Sequence, residues 1–136
     1  MKSKLIQILP CFLILCFQFL ISCKTDDSPF ITREEESVEL NKKYDKIISM
    51  TEVECTDSSS WGFTAIGINS CGETKKYIPY PLGIDTTSFK SLISLYNAAE
   101  IRFIKKWNIA DCDTLSSVKQ PTGVVCTEGR AQLVYE

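Results

Sequence analysis

The hydrophobic pattern changes character several times along the chain. Apolar residues run from Leu5 to Ile21, broken only by Gln7, Pro10 and Gln18, with Lys2 and Lys4 before them and the small Ser22 after. A basic start, an apolar core and a small residue at its end make a secretory signal. The core falls just short of the roughly 20 apolar residues that span a bilayer. Residues 24–31, KTDDSPFI, have no face to bury and read as a tether. From Thr32 the pattern becomes helical. Thr32 and Glu35 have capping-box spacing, and Leu40, Tyr44, Ile47 and Ile48 then share one face through about Ser49. Glu34 to Glu36 in the first turn and Lys42, Lys43 and Lys46 further on suit the helix dipole.

Thr56 to Ser60 reads as a loop, and Trp61 to Asn69 is aromatic and β-branched enough for a strand. Alternation puts Trp61, Phe63 and Ala65 on one face and Thr64, Ile66 and Ile68 on the other. Cys71 and Gly72 turn the chain. Lys76 to Leu82 carries two prolines, which suit an edge strand or a segment laid across the surface. The strongest helical signal spans Thr87 to Trp107, behind the cap candidates Asp85, Thr86 and Thr87. Its apolar face is Phe89, Leu92, Ile93, Tyr96, Ala99, Phe103 and Trp107. Two short strands, Val124 to Thr127 and Ala131 to Tyr135, flank the turn Glu128-Gly129. These elements predict a small α+β domain over 32–136, with the long helix packed on one short antiparallel sheet of three or four strands and the N-terminal helix alongside.

The leader ends in Leu20-Ile21-Ser22-Cys23, which resembles a lipobox. That resemblance implies diacylglyceryl transfer to the Cys23 thiol, cleavage after residue 22, and acylation of the new amino terminus. Two or three acyl chains, each contributing about 0.8 kcal/mol per buried methylene, hold a protein at a membrane where one does so only marginally. Ordinary signal cleavage and an uncleaved membrane helix are the competing readings. The Asp26-Asp27 pair resembles the acidic export signal of surface-exposed Bacteroidetes lipoproteins, although Thr25 interrupts it; the bland reading is a solvated linker.

The cysteines agree with the anchor. Of seven, Cys11 and Cys16 leave with the leader and Cys23 takes the lipid, so Cys55, Cys71, Cys112 and Cys126 remain, an even set in an oxidising compartment. Chain geometry favours one of their three connectivities. An extended run from Cys71 to Asp85 covers at most about 45 Å, and a helix of about 21 residues returns about 32 Å. Cys71 and Cys112 can then lie at the same end of the molecule, and pairing them would leave Cys55 for Cys126; sequence leaves the other two connectivities open.

Without the two leader lysines, 13 basic residues face 17 acidic ones, a formal balance of −4. That argues against nucleic acid as a partner. There is no histidine, which excludes histidine-based triads and histidine metal sites. No CxxC, GxSxG, GxxxxGK or GxGxxG occurs, and no cofactor is expected. Glu100 stands out because it falls inside the apolar stripe between Tyr96 and Phe103. A carboxylate there is either an acid of raised pKa in a cleft or a structural group bonded to a tyrosine, a backbone amide or a lysine; the second is the commoner outcome. Asp111, Asp113 and Asp85 have oxygen for calcium but no calcium-loop spacing, so no metal site is assigned.

The runs CGETKKYIPYP, YNAAEIRFIKKWNI and QPTGVVCTEGRAQLVY, with ID before the long helix and DC after it, resemble small uncharacterised envelope lipoproteins of Bacteroidetes over residues 55–136. Related sequences often carry CGGP where this chain has Cys71-Gly72-Glu73-Thr74. The resemblance implies the compartment and fold, with Tyr96, Asn97 and Glu100 as shared positions that bring no activity with them. The leading expectation is a non-enzymatic binding or accessory module, anchored by lipid to the cell envelope at the outer membrane. It would meet an envelope protein partner through the exposed loops Thr56 to Ser60 or Tyr77 to Leu82. The alternatives are a carboxylate enzyme using Glu100, and a hydrolase or protease inhibitor that presents Ile78 to Leu82.

Overall fold

The computed structural model describes residues 31–112 and 118–136. The leader, Cys23, the tether up to Phe30 and Asp113 lie outside the described residues. Residues 31–136 form one compact unit of α+β architecture. Its elements are α1 (Arg33–Ser49), β1 (Trp61–Ile68), β2 (Thr74–Pro81), α2 (Thr86–Trp107), β3 (Gly123–Thr127) and β4 (Arg130–Val134).

Local chemistry explains each boundary. At the start of α1 the Thr32 hydroxyl accepts the Glu35 N–H at 3.2 Å and the Glu35 carboxylate accepts the Thr32 N–H at 2.9 Å. This closes the capping box and satisfies donors that the first turn leaves orphaned. Asp85 caps α2 by accepting the Thr87 and Ser88 N–H groups, each at 3.1 Å. Asn108, left-handed at φ 49, ends that helix, a conformation asparagine tolerates better than most residues. Between α1 and β1, Asp57 caps a single 3-10 turn, Ser58–Ser60, that the sequence pattern reads only as loop.

The strands pair only within hairpins. β1 pairs antiparallel with β2 from Trp61↔Pro81 to Ile68↔Thr74, and β3 with β4 from Gly123↔Val134 to Thr127↔Arg130. The four strands therefore make two small sheets, not the single sheet of three or four strands expected from sequence. Two features keep the sheets apart. The Leu82 N–H bonds to the Ser60 carbonyl at 2.8 Å, which sets the alternation of the ladder. Pro79 and Pro81 then sit where the backbone of β2 points outward, and they have no N–H to offer a further strand. In addition the second hairpin lies against the face of the first, β3 over β1 and β4 over β2.

The other face of the first hairpin carries the core. Ile66, Ile78 and Tyr80 pack with Phe89, Ile93 and Tyr96 of α2 and with Ile47 of α1. Ile47, Ile66 and Phe89 are wholly buried. The Tyr80 and Phe89 rings lie 5.0 Å apart and those of Tyr44 and Tyr96 5.7 Å apart. The helices are also joined at their ends, where Glu36 accepts from Lys106 Nζ at 2.6 Å and from Trp107 Nε1 at 2.9 Å.

Two disulfides complete the unit, Cys55–Cys126 with Cα atoms 5.3 Å apart and Cys71–Cys112 at 5.5 Å. This is the connectivity that chain geometry favours. They span 71 and 41 residues. Loops of that size remove about 4 kcal/mol each of denatured-state entropy on the chain-entropy model, a large contribution in a domain this small.

Candidate functional site

The residues singled out on α2 converge on a kink in β1. Gly67 has φ +80, a conformation that L side chains avoid. Its N–H and that of Ile68 leave the ladder and turn toward the helix. Asn97 Oδ1 accepts the first at 2.9 Å and Glu100 Oε2 the second at 2.8 Å. The other carboxylate oxygen of Glu100 accepts from Lys75 Nζ at 3.0 Å and from the Tyr96 hydroxyl at 3.3 Å. Burial and the neighbouring Glu100 charge push the Tyr96 phenol up from its ordinary value.

Glu100 is 6 % exposed, and both of its oxygens are engaged. Of its two sequence readings, the structure matches the one with a tyrosine, a backbone amide and a lysine as partners. An acid exposed in a cleft would leave an oxygen facing solvent, which Glu100 does not.

Lys75 extends the network, since its Nζ also bonds Asp111 Oδ2 at 2.6 Å. Burial works against the Lys75 charge, and the Asp111 and Glu100 carboxylates outweigh it, so its pKa is raised. Burial likewise opposes ionisation of Asp111 but is outweighed by Lys75 and the Ser70 N–H, so that pKa is lowered. Asp111 Oδ1 accepts the Ser70 N–H at 2.7 Å, and the Asp111 N–H donates to Ser70 Oγ at 3.2 Å. These bonds fasten the β1–β2 turn to the segment after α2, beside Cys71–Cys112. Asp85 is spent on its helix cap. No cluster of metal-ligating side chains occurs among the described residues.

Two expected binding loops take other forms. Tyr77 to Leu82 is mostly strand β2, with Ile78 and Tyr80 buried in the core. It is not a loop that could enter a hydrolase active site, because the alternation that makes it a strand turns those side chains inward. Thr56 to Ser60 is exposed, and Asp57 ties up part of it by accepting from the Ser59 N–H and hydroxyl and the Ser60 hydroxyl.

The open surface lies beside the network. A shallow groove of about 460 Å³ runs between β1 and α2, walled by Thr64 and Ile68 on one side and Lys90, Ser94, Asn97 and Ile101 on the other. Among the described residues the Thr64 and Ser94 hydroxyls, the Asn97 amide nitrogen and the Lys90 ammonium make no hydrogen bond or ion pair. A second hollow, of about 490 Å³, mixes Glu52 and Glu54 with Arg130 beside Trp61 and Pro79. Sequence patterning missed the first groove. Its one advance signal was Gly67, a glycine inside a strand, which marks a bend or a close approach.

Compared with family models, curated proteins and solved structures, the chain has no match.

Proposed function

We propose that this chain is a lipid-anchored module of the bacterial cell envelope, held at the outer membrane through Cys23, that binds an envelope partner and performs no chemistry on it. One observation carries the binding half. Glu100, the carboxylate an enzyme would use, is bonded within the fold together with Tyr96 and Asn97, while unspent polar groups line an open groove. A site arranged in that way positions a surface and offers no activated acid, base or nucleophile. The anchor half rests on the apolar leader, its Leu20-Ile21-Ser22-Cys23 ending and the even set of mature cysteines.

In-cell crosslinking of the full chain, followed by purification from solubilised envelopes, tests the binding. The expected result is a reproducible crosslinked partner, lost when the domain is unfolded by reduction. Absence of any crosslinked partner across growth conditions would overturn it.

A further inference from the structure

Both strands of the first hairpin have a free edge, and the two edges differ. On β2 the outward positions include Pro79 and Pro81, which have no donor. On β1 the outward positions are Trp61, Phe63 and Ala65, opposite Pro81, Pro79 and Tyr77, with Gly67 following at the kink. Each of them has an N–H; that of Trp61 is met by the Ser58 carbonyl and that of Gly67 by Asn97, which leaves those of Phe63 and Ala65. The second hairpin lies against the first, and among the described residues no strand pairs with this edge.

The edge also has a known direction. The outward N–H of Gly67 is met by Asn97 Oδ1 at 2.9 Å, and Asn97 is a wall of the groove. The helix thus supplies, for one residue, the acceptor that an added strand would bring. Phe63 and Ala65 lie on the same edge and have no such side-chain acceptor.

The groove is marked by charge. Among the described residues no carboxylate lines it, Lys90 stands at one end, and Lys105 follows one turn past Ile101 on the same helical strip. The fifteen-position separation of the lysines corresponds to about 22 Å of helix, the span of about seven extended residues. The floor between them is Ile68, Ile93 and Ile101, flanked by Thr64 and Ser94.

We propose that an extended, acidic-ended peptide segment of a partner protein adds as a strand to the free edge of β1, lying in the groove against α2. Main-chain bonds to Phe63 and Ala65 supply sequence-independent affinity, the isoleucine floor takes alternate apolar side chains, and Lys90 and Lys105 take carboxylates at the ends. The inference rests on the binding-module reading and names that module's partner chemistry.

The test is selection of a random twelve-residue displayed peptide library on the full chain. The expected winners alternate apolar and polar residues between acidic ends, and they shift and protect the Phe63 and Ala65 amides in NMR. Lys90→Glu should weaken them about tenfold or more, because it places like charges together. Ala65→Pro should abolish binding by removing an outward donor, at a position where an edge strand accepts proline. Should that variant fail to fold, Ser94→Trp fills the groove instead and is expected to abolish binding. No enrichment, winners that perturb another surface, or winners indifferent to Lys90→Glu and Ser94→Trp would overturn the inference. If a cellular partner is still crosslinked by the Lys90→Glu chain at full yield, the strand-addition site is wrong while the binding-module reading stands.

Discussion

Glu100 on α2 accepts the backbone N–H of Ile68 on β1 at 2.8 Å, across 32 positions of sequence. The bond is partly buried and ties the helix to the strand at the kink. Glu100→Leu should therefore lower stability by about 1–3 kcal/mol, since it leaves the Ile68 N–H without its acceptor and takes one of two carboxylates from Lys75, which keeps Asp111. Glu100→Gln keeps an acceptor and should cost about half as much. Chemical denaturation of both variants checks the order, and equal losses would contradict the assignment.

Gly67 should tolerate no side chain. Its φ of +80 is unfavourable for alanine, and an added Cβ would sit 3.1 Å from Lys75 Cβ and 3.3 Å from Glu100 Oε2. Gly67→Ala should cost about 2 kcal/mol or more, combining the conformational penalty with displacement of the carboxylate. Gly72 also has positive φ but nothing within 4 Å, so Gly72→Ala should cost less. Thermal unfolding of the pair separates crowding from conformation.

The Lys75–Asp111 pair gives stability two pH limits. Asp111 is held below its ordinary 3.8, so its contribution is present above that value and is lost as pH falls through the lower folded pKa. Lys75 is held above its ordinary 10.5; its contribution is complete below that value and is lost as pH rises through the higher folded pKa. Asp111→Asn should flatten part of the acid limb and lower the alkaline one, read from melting temperature against pH. An unchanged profile would mean that the pair contributes nothing.

The two disulfides should differ in access. Cys55 is 3 % exposed, whereas Cys71 is on the surface. Under a mild thiol reductant, alkylation and mass mapping should label Cys71 and Cys112 well before Cys55 and Cys126, because exchange needs an exposed sulfur. Simultaneous labelling would show that the domain unfolds first.

Much of this architecture was legible in the residues. The stripe from Phe89 to Trp107, the Thr32–Glu35 box and the Glu128-Gly129 turn are local signals, and each produced its element within a residue or so. The turn works because both Glu128, at φ 52, and Gly129, at φ 75, adopt positive φ, as a two-residue hairpin loop requires. The division into two sheets was not legible, because it depends on which way the prolines face once β2 is paired. The partners of Glu100 were hidden for a similar reason. A carboxylate in an apolar stripe announces that it needs donors, but Ile68 becomes one only after Gly67 turns the backbone. The groove follows from the same kink and has no periodicity of its own.

The mature amino terminus tests the proposed lipid tether most directly. Mass spectrometry of the protein purified from envelope membranes should find residues 1–22 removed and Cys23 carrying a thioether-linked diacylglyceryl group with an acylated amine. An intact Cys23 thiol, or a chain that retains the leader, would contradict it.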